Sequence, residues 1–224
     1  MDDIGSDGCR RCGTCCKNGG PSFHMEDRPL IAGGRIPLRR LFTIRQGEPA
    51  LDNIAGRVLS APSDRIKIKG SGRSWTCVYY GDAQQGCRIY EDRPLECRVL
   101  KCWDTAGIES IYQTGLLTRK DLIGGVAGLW ELVADHHARC SYDDLQQLLS
   151  AAKNGDAASA DALQEAVRYD RHLRRLTVER GLVAADMTDF LFGRPMADTL
   201  RPMGVRFFDC GGGLRLDLTA ASDP

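Results

Sequence analysis

Apolar positions are sparse and broken by glycine in the first half of this chain, and recur at helical steps in the second. Ile66-Lys67-Ile68-Lys69 alternates apolar and polar residues, and Trp75-Thr76-Cys77-Val78-Tyr79-Tyr80 is rich in strand formers. Joined by a Gly-Ser-Gly link, they predict a hairpin with Cys77 on a strand. Gly19-Gly20-Pro21, Gly33-Gly34 and Gly70-Ser71-Gly72 mark turns, and Ile54 to Leu59 is too short to assign. Asp92 is expected to cap a helix that takes Pro94 in its first turn, with Cys97 near its N-terminal end and Cys102 near its exit. Thr118-Arg119-Lys120-Asp121 resembles a capping box, and Leu122, Ile123, Val126, Leu129, Trp130 and Val133 follow at three- and four-residue steps. Ser141 starts a second helix with Leu145, Leu148 and Leu149. A third runs from about Ser159 to Arg180 and stops at Gly181, and Asp186 to Phe192 is a short fourth. Val205 to Cys210 and Leu214 to Thr219 flank a triple-glycine turn as a terminal hairpin. The expected class is α+β: a cysteine-rich, irregular part with a β-hairpin over residues 1–105, then a helical part with a C-terminal hairpin over 106–224, packed as one unit.

Composition adds bounds rather than identity. With 42% hydrophobic and 27% charged residues, the 224-residue chain reads as a soluble globular protein. It is long enough to bury a core without metal. The acidic start, Met1 to Asp7, has no apolar run, so no signal peptide is expected. No stretch approaches the length of a membrane span, so no membrane partner is expected. A cytoplasmic location follows, where thiols stay reduced; a disulfide framework is the alternative. Net charge is zero, with basic residues in excess before Trp103 and acidic ones after it. Glu91, Asp92 and Glu96 interrupt the basic run around Arg88, Arg93, Arg98 and Lys101, so no nucleic-acid partner is expected.

The chemistry lies in the cysteines. Eight of ten fall in two blocks: Cys9, Cys12, Cys15 and Cys16, then Cys77, Cys87, Cys97 and Cys102. Four thiols within eight residues cannot all pair as disulfides, which need separated, well-aimed Cβ vectors. They suit a soft metal or an inorganic cluster. Cys9-x2-Cys12-x2-Cys15 is the opening of the bacterial ferredoxin run, whose fourth ligand often lies far off in sequence. Cys16 is awkward there, because adjacent side chains diverge. Eight thiols also suit two tetrahedral zinc sites.

Other groups carry weaker signals. Cys140 and Cys210 read as small buried residues, and His136 and His137 as a helix end where protonated imidazole suits the dipole. His24, followed by Glu26 and Asp27, would face an open metal position or sit in a surface turn. Arg93 is a cofactor-binding candidate that would donate to cluster sulfurs or pair with an acid, and Tyr90 a packing residue. Nucleotide-loop, zinc-protease and serine-hydrolase motifs are absent.

Cys9, Cys12, Cys15 and Cys16 form a CxxCxxCC signature, Cys77 follows, and Cys87-Arg88-Ile89-Tyr90-Glu91-Asp92-Arg93-Pro94-Leu95-Glu96-Cys97-Arg98 matches C-x-I-Y-x-x-R-P-x-x-C-R. These residues resemble the YkgJ-type cysteine-cluster family, a zinc- or iron-chelating domain. The resemblance covers roughly residues 9–102, except 17–74. It implies Cys9, Cys12, Cys15, Cys16, Cys77, Cys87 and Cys97 as metal ligands, with Cys102 as an eighth. Some relatives with this module are linked to lysine methylation of flagellin, an analogy at the level of the fold. The expectation is a metal-binding protein holding an iron–sulfur cluster, 4Fe–4S first, or zinc. The alternatives are an iron-dependent enzyme acting on a protein or small molecule, and a structural zinc module that docks a protein partner. Oligomeric state is not legible.

Overall fold

In the computed structural model residues 12–72, 74–81, 83, 86–210 and 213–218 are described, with backbone alone at 209, 210 and 213. Cys9 and the Cys210 side chain lie outside these described residues. The helices are α1 (Thr14–Lys17), α2 (Arg28–Ala32), α3 (Leu95–Val99), α4 (Ala106–Ile111), α5 (Arg119–Ile123), α6 (Leu129–Arg139), α7 (Tyr142–Lys153), α8 (Ala157–Glu179), α9 (Thr188–Phe192) and α10 (Met196–Thr199). The strands are β1 (Leu41–Ile44), β2 (Pro49–Asp52), β3 (Arg57–Ser60), β4 (Arg65–Ile68), β5 (Tyr80–Gly81), β6 (Gly86–Cys87), β7 (Val205–Cys210) and β8 (Gly213–Leu218). The class is α+β, with short antiparallel pairs β2–β3, β5–β6 and β7–β8. No helix among the described residues is long and apolar enough to cross a membrane.

The chain divides into two units, residues 1–41 with 66–117 and residues 42–65 with 118–224. In the first, regular structure is scarce. The segment Ser22 to Met25 runs between two others through isolated antiparallel bridges, Ser22 to Lys67 and His24 to Leu116. Phe23 N donates to Ile66 O at 2.9 Å, and Leu117 N donates to Phe23 O at 2.9 Å. Phe23, Ile36, Leu41, Ile66, Ile68 and Leu117 are buried beside this backbone. The hairpin expected from Ile66 to Tyr80 contracts to one bridge, Gly70 to Cys77. Among the described residues, strand pairing resumes at β5, where Tyr80 faces Cys87. Cys77 therefore lies in a bridge and not in a strand.

The second unit is helical. The capping box at Thr118 forms, with Asp121 Oδ2 accepting from Thr118 N at 2.8 Å. The single helix expected beyond it is two, α5 and α6. Gly124, Gly125 and Gly128 lie between them, Gly128 at φ +77°, and glycine there costs helix more than any residue except proline. Ser141 caps α7, and α8 ends before Gly181 at φ +67°. Leu145 and Leu149 of α7, Leu163 and Val167 of α8, Met196 and Leu200 near α10, and Val205 and Leu214 of the terminal hairpin share one buried apolar cluster.

Candidate metal centre

Building the site starts at Gly13, which precedes α1 with φ +77°. A Cβ there would lie 2.4 Å from the Tyr80 ring, so only glycine permits this approach. The turn of α1 carries Cys15 and Cys16. Cys77 N donates to Cys16 O at 2.7 Å, tying the first cysteine block to the second. Cys87 follows on β6, and Cys97 is the third residue of α3.

The structure thus brings five thiols into one electrostatic neighbourhood. Cys15 and Cys16 share a hydrogen bond, which takes Cys15 down to about 6 and drives Cys16 far above the ordinary thiol range. Cys77 and Cys87 raise Cys16 further. Burial raises Cys77 first, with Cys87 and Cys15 adding to it. Burial likewise raises Cys97, followed by the influence of Cys77, Cys15, Cys87 and Glu96. The helix-start dipole expected to favour a Cys97 thiolate is outweighed by desolvation. Thiolates crowded this way repel one another, and a cation at their centre removes that repulsion by displacing their protons.

Cys12 and Cys102 stand apart in exposure. Cys12 is exposed, and its hydrogen bond with Thr14 Oγ1 at 3.3 Å lowers its pKa. Cys102 is exposed in the turn after α3, where Lys101 bridges to Asp104. The described cysteines Cys12, Cys15, Cys16, Cys77, Cys87, Cys97, Cys102 and Cys140 are all free thiols. Among the described residues, no three Cys, His, Asp or Glu side chains already stand together at coordination spacing. The donor chemistry fits a soft metal, and closure onto it needs local adjustment of the gathered thiols.

Arg93 donates from Nε to Tyr90 O at 2.6 Å, and its guanidinium stacks 3.5 Å from the Tyr90 ring centroid. From there its charge helps lower the Cys15 pKa.

The helix bearing Cys97 is held by acids that the sequence reading places beside His24 or in the interrupted basic run. Pro94 occupies the N-cap of α3 and makes no side-chain cap; Asp92, expected in that role, does not fill it. Asp27, fully buried, accepts instead from Leu95 N through Oδ1 at 2.8 Å and from His24 N through Oδ2 at 3.0 Å. Arg98 Nη2 lies 3.6 Å from Asp27 and 3.2 Å from Glu26. Glu96 Oε2 accepts from Ser22 N at 2.6 Å. A signal for this existed: the pentapeptide Glu-Asp-Arg-Pro-Leu occurs twice, at residues 26–30 and 91–95. The first copy's aspartate caps the helix that the second copy begins.

The remaining candidates lie elsewhere. His24 is buried rather than in a surface turn, and its ring pairs with Glu96, not with Glu26 or Asp27. His136 is fully buried with Nε2 2.8 Å from Asp170, and burial pushes its pKa down to about 4. The protonated helix-end imidazole expected there is therefore neutral at pH 7. Burial also lowers His137. Cys140 is buried with Sγ 3.7 Å from Ala166 O, and burial pushes its thiol up to about 12.

The cysteines of the two blocks fall inside a segment that a family model matches. Residues 8–115 match the family model CxxCxxCC, described as "Putative zinc- or iron-chelating domain". This segment belongs to the CxxCxxCC family. Zinc or iron chelation is the property its description carries. No curated protein and no solved structure matches the chain.

Proposed function

We propose that this CxxCxxCC chain holds a polynuclear thiolate centre, an iron–sulfur cluster of the 4Fe–4S type, with ligands drawn from Cys9, Cys12, Cys15, Cys16, Cys77, Cys87 and Cys97. One observation carries the reading: Cys77 N donates to Cys16 O at 2.7 Å, which joins the two cysteine blocks, and Cys15 and Cys87 each perturb Cys16, Cys77 and Cys97. One tetrahedral zinc ion and one 4Fe–4S cluster each take four thiolates, and the Cys9-x2-Cys12-x2-Cys15 run favours the cluster. A cluster supplies one-electron redox chemistry or a rigid cross-link when bound. The protein's part is to gather the thiols, to shield Cys77 from water, and to hold the Arg93 charge near Cys15. Cys102 is a weaker ligand candidate, since it is exposed and follows the helix exit.

Metal analysis and a visible spectrum of protein purified without oxygen test this. Iron with matching inorganic sulfide and a broad thiolate-to-iron absorption supports the cluster. Colourless protein with stoichiometric zinc rejects it in favour of a zinc centre. A Cys77→Ser, Cys97→Ser double variant should lose the sulfur-bound metal, whereas Cys140→Ser should keep it. Full retention in the double variant contradicts a thiolate centre built from these residues.

A further inference from the structure

Three exposed arginines of the first unit gather where no acid meets them. Arg39 and Arg40 end the 3-10 turn Leu38–Arg40, and Arg88 follows Cys87 at the end of β6. All three are exposed. Backbone bonds bring these positions side by side. Lys69 N donates to Arg40 O at 2.9 Å, Val78 N to Lys69 O at 3.0 Å, and Arg88 N to Tyr79 O at 2.9 Å. Arg88 Nη2 donates to Val78 O at 2.6 Å, which anchors the guanidinium and leaves its other N–H groups for a ligand.

The Tyr79 hydroxyl marks the point that the three share. Burial raises its pKa, Arg40, Arg39 and Arg88 each act to lower it, and no carboxylate acts on it as strongly. That hydroxyl is a protonated donor at neutral pH and has no hydrogen-bond partner among the described residues. Elsewhere in this unit arginines find acids, Arg35 near Asp92 at 4.0 Å and Arg98 near Glu26 at 3.2 Å. Among the described residues no such pair forms at Arg39, Arg40 or Arg88. Thiolate charge does not account for them either, since burial, Cys87 and Cys15 raise Cys77 and no arginine is among its main influences. Guanidiniums gathered without an acid repel one another, and a bound anion reverses that. Arginine's planar fork suits carboxylate and phosphate, which accept two N–H bonds at a time.

We propose that Arg39, Arg40 and Arg88 form, around the Tyr79 hydroxyl, a binding site for an oxyanion group, the carboxylate or phosphate of a small ligand. The guanidiniums open the site to solvent. It adjoins Cys77 and Cys87 in the chain without using their thiols. The site goes beyond the metal-binding reading and does not depend on it.

Calorimetric titration of the full-length chain with inorganic phosphate and, separately, with succinate tests the proposal, at an ionic strength held constant with sodium chloride. Saturable binding of one anion per chain is expected from at least one of them, and the tighter of the two identifies the group as phosphate or carboxylate. An Arg39→Gln, Arg40→Gln double variant and Arg88→Gln should each weaken binding by about tenfold or more. Arg35→Gln, whose arginine faces Asp92 instead, should bind as the wild type does. Heat that never saturates with either anion overturns the site, as does wild-type affinity in the double variant. Should a variant fail to fold, phenylglyoxal modification of the wild type locates the anion instead. The bound anion should slow the reaction at Arg39, Arg40 and Arg88 and not at Arg35, and equal slowing at all four overturns the site. Metal content is read on the same samples. A chain that binds the anion but no metal upholds this site and rejects the thiolate centre, and one that binds metal but no anion does the reverse.

Discussion

Replacing Asp27 by Asn separates hydrogen bonding from shape at the helix that carries Cys97. The carboxylate accepts from Leu95 N at 2.8 Å and His24 N at 3.0 Å, one on each oxygen. Asparagine offers one accepting oxygen and one donating NH2, so one of the two backbone N–H groups must face another donor. A buried N–H left unsatisfied costs about 1–3 kcal/mol, and the loss of the attraction to Arg98 3.6 Å away adds to it. Burial raises the Asp27 pKa, so removing its charge returns part of that cost. A net loss of about 1–3 kcal/mol is the expected balance. Trp75 and Trp103 lie in the unit that contains Asp27, so fluorescence-detected urea unfolding reports on it. The variant should also bind the thiolate-centre metal more weakly, since α3 loses its cap. An Asp27→Asn protein with an unchanged midpoint and full metal content would show that the buried carboxylate does not position this helix.

Two further outcomes follow from single positions. Gly13→Ala places a methyl 2.4 Å from the Tyr80 ring at φ +77°, so α1 must move. Metal content should drop while circular dichroism of the helical unit persists, and an alanine variant with wild-type metal would remove Gly13 from the argument. His136 has a folded pKa of about 4, below the ordinary histidine value of 6.5, because burial outweighs the Asp170 hydrogen bond. A depressed histidine stabilises the fold above pH 6.5, and that contribution is lost as pH falls from there through about 4. It amounts to about 3 kcal/mol at most. The urea midpoint of the helical unit should fall across that window in the wild type and be flatter in His136→Gln; equal slopes would refute the assignment.

Local rules were legible where one residue decides one feature. The Thr118–Asp121 box, the Ser141 cap, the Gly181 stop and the terminal hairpin from Val205 all depend on neighbours in sequence, and all are present. The break at Gly124 to Gly128 was masked because apolar spacing continued across it, from Leu122 to Val133. The charge state of His136 was misread because its partner, Asp170, sits on another helix and its burial is tertiary. Asp92 looked like a cap by the local rule, yet the cap came from Asp27, 68 residues from Leu95 in the chain. The cysteine blocks were legible by spacing; their supports were not.

Those supports come largely from the stretch that carried no motif. Residues 17–74 read as turns up to the strand expected at Ile66–Lys69, yet they provide Ser22 and Asp27, the groups that hold α3 through Glu96 and Leu95. They also supply Phe23, Ile36, Ile66 and Ile68, the buried apolar side chains of this unit. A five-residue helix is too short to be stable by itself, since nucleation fixes several residues for one hydrogen bond. Cys97 therefore keeps its place only if groups outside α3 fix both its first N–H and its buried side chain. Asp27 does the first and Ser22 the second, through Glu96. The spacing of thiols marks them in the sequence, while acids and backbone donors far from them in sequence specify where Cys97 stands.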